Sequence, residues 1–142
     1  MLNVTVGDWA QSREREMTSK PRFSLRARLA SFRYAFDGFK TLLAEQHNAR
    51  LHLLATLLVF ALAAMLELAA EKWLWLVLAV VLVWAAEAMN SALEYLANAA
   101  VPEQDPLIRK AKDVAASAVL ITALGATIIG AVIILPPLLD LF

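Results

Sequence analysis

The chain has 142 residues, 61% of them hydrophobic, with a mean hydropathy of +0.62. Soluble domains are only about 45–50% apolar, so this composition points to a membrane protein of one domain. Thirteen basic and thirteen acidic side chains cancel and cysteine is absent, which argues against a nucleic-acid partner and excludes disulfides and thiolate metal sites.

Residues 1–22 read as a flexible polar tail, closed by Pro21 and lacking the apolar core of a secretory signal. A membrane domain is expected over 23–142. It opens with a helix over about 23–47, where Leu25, Leu29, Phe32, Phe36, Phe39 and Leu43 recur at steps of four and three. Arg26, Arg28, Arg33 and Lys40 lie largely off that stripe, the pattern of a basic amphipathic helix resting on the inner leaflet. A helix packed on a soluble partner is the alternative. Arg28 is a candidate contact for a lipid substrate.

Apolar stretches follow at about 51–70, 73–98 and 114–139, placing spans at about 49–70, 73–98 and 108–136. Each is long enough for a hydrocarbon core of about 30 Å, which takes about 20 helical residues. Nine of the thirteen Lys and Arg residues lie in residues 1–50, and Arg109, Lys110 and Lys112 lie between the second and third spans. Only Lys72 sits in the first link. The positive-inside rule therefore puts the N-terminus and the 99–113 loop in the cytoplasm and the C-terminus outside.

The second span carries the chemistry. Its apolar run from Trp73 to Ala86 continues without Gly or Pro into Glu87-Ala-Met-Asn90-Ser-Ala-Leu-Glu94. At about 100° per residue, Glu87, Asn90 and Glu94 fall within about 60° on one helix face. Glu87 is expected in the cytoplasmic half of the bilayer, with Glu94 about 10 Å further on at the inner boundary. A carboxylate in hydrocarbon is costly and marks a functional site by default. Glu87 is thus a candidate proton acceptor for a lipid hydroxyl. Glu94 is open to a simpler reading, a side chain reaching into headgroups, and Asn90 to one as a polar link between helices.

Two further clusters flank this face. Lys112 and Asp113 are adjacent at the start of the third span, so they point about 100° apart, Lys112 toward phosphate oxygens or headgroups and Asp113 toward a metal or donor. Glu45-Gln46-His47-Asn48-Ala49-Arg50-Leu51-His52 forms a polar junction between the surface helix and the first span. His47 and His52 are five apart and do not make the i, i+4 pair of a zinc helix. With four glycines in all, no phosphate-cradling glycine loop is present.

The Glu87–Glu94 block, with Lys112-Asp113-Val-Ala-Ala-Ser-Ala-Val-Leu120, resembles the small bacterial integral-membrane lipid kinases, the diacylglycerol kinase and undecaprenol kinase family. Phe32–Lys40, Asn48-Ala-Arg50-Leu-His52, Ile128-Ile-Gly130 and Leu135-Pro136 extend the likeness over about residues 23–139. The resemblance implies an all-α membrane protein with three transmembrane helices and an amphipathic surface helix, assembled as a homotrimer in the bacterial inner membrane. It implies ATP-dependent phosphorylation of a lipid hydroxyl, diacylglycerol or undecaprenol, with Mg2+. Carried over, Glu87 is the base near the acceptor and Glu94 a metal ligand and nucleotide contact. Asn90, Asn98, Lys112 and Asp113 join the nucleotide and catalytic cluster, Asn90 and Asp113 on its catalytic side.

Two positions depart from the family pattern: Gln46 replaces a metal-binding glutamate and Asn98 an aspartate. Gln46 keeps an oxygen ligand but loses a charge at a hard-cation site. Glu45 is adjacent, but on a continuous helix it points about 100° away, so it substitutes only if the junction is locally unwound. These changes motivate an alternative, a weakly active or non-catalytic trimeric scaffold that binds lipid. A proton-relay subunit is a third reading, disfavoured because 114–139 holds no ionisable residue.

Overall fold

The computed structural model describes residues 24–100 and 105–141. The tail expected over 1–22 and part of the expected 99–113 loop lie outside the described residues. Four helices follow in order: α1 (Leu25–Glu45), α2 (His47–Met65), α3 (Ala70–Ala100) and α4 (Pro106–Leu139). The last three are long and apolar enough to cross a membrane. The chain divides into two compact units between Phe36 and Asp37, so α1 begins in one and ends in the other. In the first unit Leu25, Leu29, Phe32 and Phe36 are all exposed.

Within the second unit, α3 and α4 pack along much of their length, α2 leans on α3, and α2 and α4 barely touch. Beside the link between α2 and α3, Ala63, Leu68 and Leu76 form a buried cluster with Ile134 of α4. Phe60 and Trp73 stack at 5.5 Å against the same region.

The first span ends five residues earlier than its apolar run suggests. The Leu68 N–H donates to the Ala63 carbonyl and the Glu67 N–H to the Ala64 carbonyl. This is the Schellman pattern, with the Ala63–Leu68 apolar contact that accompanies it. Glu67 stands at the position where glycine is usual, with φ 48°. At the other end, α4 begins at Pro106 because the Asp105 carboxylate accepts from the Leu107 N–H at 2.6 Å. A side-chain cap followed by proline in the first turn is a strong start signal. The third span, α4, is therefore longer than its apolar core, and Lys112 and Asp113 lie nearly two turns inside it.

Glu67 is a non-glycine residue in the left-handed region, a conformation that costs L-residues about 1–2 kcal/mol. Glu67→Gly is expected to raise the thermal unfolding midpoint in detergent by a few degrees, followed by circular dichroism. A lowered midpoint would contradict the capping assignment.

Candidate active site

The junction at Gln46 sets up the site. Gln46 is extended (φ −95°, ψ 119°), which breaks the helix between α1 and α2. A helix end leaves carbonyls without partners, and here Arg50 reaches back to supply them. Its Nε donates to the Leu43 carbonyl at 2.9 Å and its Nη2 to the Ala44 carbonyl. The break turns the side chains of Glu45 and Gln46 toward a common point. The Tyr95 hydroxyl donates to Glu45 Oε2 at 2.9 Å, and Gln46 Nε2 donates to the Tyr95 oxygen at 3.3 Å. The local unwinding required for Glu45 to stand beside Gln46 is thus present.

Glu87 lies deeper along α3 and is 1% exposed. Its Oε2 is 3.9 Å from Nε2 of His52 on α2 and has no hydrogen-bond partner among the described residues. Asn90 does not satisfy Glu87. Its Nδ2 donates instead to Glu94 Oε1 at 3.4 Å, which leaves its own Oδ1 buried and unpartnered. Ser91 Oγ is buried beside it in the same condition. Buried polar atoms are nearly always paired, so three orphans within about one turn of one helix mark a place built to receive something.

Further along α3, Lys112 Nζ donates to Asn98 Oδ1 at 2.6 Å, tying the start of α4 to the end of α3. Asp113 is exposed on α4 and takes no part in these contacts. Arg28 is exposed on the first half of α1. The contacts fall in three levels along α3: Glu87 with His52, then Glu94 and Tyr95 with Asn90, Glu45 and Gln46, then Asn98 with Lys112. From Glu87 to Asn98 the axis advances about 16 Å.

Sequence reasoning left His52 and Tyr95 without roles. Tyr95 follows Glu94 directly, and no periodicity signals that its hydroxyl will bridge to α1. His52 is held by a chain of contacts between elements. The Thr56 hydroxyl donates to the His52 carbonyl at 2.7 Å, Trp84 Nε1 donates to Thr56 Oγ1 at 3.1 Å, and Phe39 stacks on Trp84 at 5.1 Å. The one available signal was spacing. Position 52 lies nearly two turns past the junction, at the depth where a span entering the bilayer meets the polar face of α3.

Among the described residues, no three His, Asp or Glu side chains gather as a ready-made metal cage. Magnesium bound with nucleotide normally takes only one or two protein carboxylates and completes its shell with phosphate oxygens and water. Glu45 and Gln46 meet at the Tyr95 hydroxyl, and Glu94 precedes Tyr95 on α3; their side chains offer oxygen ligands of the type magnesium takes.

The prokaryotic diacylglycerol kinase family matches residues 33–134. A diacylglycerol kinase of Synechocystis sp. is 40% identical over 114 residues, 80% of this chain and 65% of the relative. The chain thus spans just under two thirds of that relative's length. An undecaprenol kinase of Bacillus subtilis is 31% identical over 108 residues, 76% of this chain and 88% of the relative. The matched stretch runs from within α1 through most of α4 and contains every buried polar residue described above, and the chain belongs to the prokaryotic diacylglycerol kinase family.

Proposed function

We propose that this protein transfers the γ-phosphoryl group of ATP to the hydroxyl of a membrane lipid, diacylglycerol or undecaprenol, at the cytoplasmic face of the bacterial inner membrane. One observation carries the reading: a fully buried carboxylate, Glu87, shares a helix face with Glu94 and, beyond it, the Lys112–Asn98 pair. A lipid alcohol reaches the first level from the bilayer. A nucleotide reaches the last from water. Two carboxylates, a lysine and a positioned acceptor meet the needs of phosphoryl transfer, which depends on alignment and charge neutralisation more than on covalent help.

In this reading the N-terminus and the α3–α4 link face the cytoplasm, and the stripe of α1 lies on the inner leaflet. Glu87 accepts the proton of the acceptor hydroxyl as its oxygen bonds to the γ-phosphorus and the bond from that phosphorus to the β–γ bridging oxygen breaks. His52 holds the Glu87 carboxylate from the α2 side. Asn90 orients Glu94. Lys112, steadied by Asn98, binds phosphate oxygens, and Asp113 faces the nucleotide from α4. Arg28 contacts the lipid headgroup. Glu94, Glu45 and Gln46 hold magnesium, which when bound neutralises the charge of the phosphate chain. The working unit is a homotrimer, the assembly that the family resemblance implies.

The scaffold alternative loses its main support at the junction. Gln46 and Asn98 remove two charges relative to the family pattern, but Glu45 brings one to Tyr95. Asn98 holds Lys112 through its amide oxygen.

Radiolabelled ATP with each lipid in mixed micelles tests the proposal directly, and transfer to neither lipid removes it. Glu87→Gln is expected to lower kcat by about 100-fold or more, the usual scale for losing a general base. Lys112→Ala is expected to raise the KM for ATP by about tenfold or more, as the loss of one charged hydrogen bond does, while leaving the KM for lipid nearly unchanged. Gln46→Glu is expected to lower the magnesium concentration needed for half-maximal rate. An unchanged magnesium dependence would take Gln46 out of the metal site.

A further inference from the structure

The end of α1 meets α3 through side chains, and Tyr95 makes two of those contacts. Its hydroxyl donates to Glu45 Oε2 at 2.9 Å and accepts from Gln46 Nε2 at 3.3 Å. The two bonds join positions 50 and 49 residues apart in the chain. The backbone at the end of α1 is already fixed without them. The Gln46 N–H donates to the Leu42 carbonyl at 3.0 Å, and Arg50 takes the carbonyls of Leu43 and Ala44. What the backbone leaves free is the direction of the Glu45 and Gln46 side chains, and Tyr95 sets it.

Donor and acceptor chemistry decides how each bond runs. A carboxylate only accepts, so the single phenolic proton goes to Glu45. The hydroxyl can then only accept from Gln46, and the amide presents its nitrogen. The amide oxygen of Gln46 is thereby turned away from Tyr95 and stays available as a ligand. The bond to Glu45 engages one of two carboxylate oxygens, so that group keeps lone pairs for a cation as well. An unanchored glutamate gives up its rotamer freedom only when a cation arrives, which weakens binding. Tyr95, a rigid ring on two torsions, removes much of that cost beforehand.

We propose that Tyr95 is a positioning residue for the phosphoryl-transfer site, holding the Glu45 carboxylate and turning the Gln46 amide so that both offer oxygen to the magnesium ion that accompanies the nucleotide. This rests on the kinase reading above and deepens it. Carboxylates that bind metals are themselves held by hydrogen bonds, and losing such a partner costs about 10–100-fold in affinity. Tyr95 supplies that support from α3, directly after Glu94 in the chain. The carboxylate at position 45 is one residue out of step with the family's ligand, and the Tyr95 hydroxyl is what makes it usable.

Tyr95→Phe removes the hydroxyl and keeps the ring. Tyr95 is 39% exposed, so the change opens no buried cavity. The purified chain in detergent is saturated with a non-hydrolysable ATP analogue, and its unfolding midpoint is followed as Mg2+ is added. A ligand that binds only the folded state raises the midpoint, so the Mg2+ concentration giving half the rise reports binding without turnover. Tyr95→Phe is expected to increase that concentration by about tenfold or more. The Mg2+ requirement of lipid phosphorylation is expected to rise with it, while the KM for lipid stays nearly unchanged.

Glu45→Gln supplies the second arm. In that background Tyr95→Phe is expected to change the Mg2+ requirement by no more than about threefold, because a residue that acts through Glu45 has little left to position. An Mg2+ requirement that Tyr95→Phe leaves unchanged overturns the proposal. An equal rise with and without Glu45 also overturns it, since that marks a general loosening of the helix pair, and so does an unaltered chain that Mg2+ fails to stabilise. If no lipid is phosphorylated but Tyr95→Phe still weakens Mg2+ binding through Glu45, the kinase reading fails and the role of Tyr95 stands. If lipid is phosphorylated and the Mg2+ requirement ignores Tyr95, the kinase reading stands and this inference falls.

Discussion

A buried carboxylate on a helix apolar enough to cross a membrane is the constraint around which this protein is arranged. Such a group is tolerated only where other groups answer it. Glu87 Oε2 has His52 Nε2 at 3.9 Å and no hydrogen-bond partner among the described residues. Nearby, side chains join the helices: Thr56 to Trp84, and Trp84 to Phe39. Lipid tails are as apolar as leucine, so helices in a membrane gain little from hydrophobic burial and depend on close packing and polar contacts. The few polar links here therefore carry both the register of the bundle and the geometry of the site.

The break at Gln46 is the second device. A continuous helix from α1 into α2 would send Glu45 and Gln46 in different directions. The extended residue at Gln46, with Arg50 closing the exposed carbonyls behind it, brings both side chains to Tyr95. One residue of irregular backbone thus brings the Glu45 carboxylate to the side of α3 that Gln46 faces. It also joins the end of α1 to the polar end of α3, where the cation and the nucleotide phosphates belong in the proposed reaction.

Much of this was legible in the chain. Composition and hydropathy are enough for three membrane-crossing helices, and the steps of three and four among Glu87, Asn90 and Glu94 are enough for one polar face on α3. Helix ends were less legible. Apolar content continues past Met65, and only the Schellman turn at Glu67 stops the helix there. The Asp105-Pro106 cap starts α4 before its apolar core begins. Least legible were contacts between helices. His52 with Glu87, Tyr95 with Glu45 and Lys112 with Asn98 join residues far apart in the chain, and nothing in a single sequence ties such positions together. Asn90 shows the same limit in miniature: its place on the face was readable, but its choice of Glu94 over Glu87 depends on rotamer and packing.

The central claim is that Glu87 waits, away from water, for an alcohol. Modification by a lipid-soluble carbodiimide, read residue by residue in vesicles by mass spectrometry, measures that directly. The account predicts that Glu87 is modified, that a water-soluble carbodiimide modifies the exposed Glu71 but not Glu87, and that a lipid alcohol protects Glu87 while its methyl ether does not. Equal modification of Glu71 and Glu87 by the water-soluble reagent, with no protection by the alcohol, would contradict it.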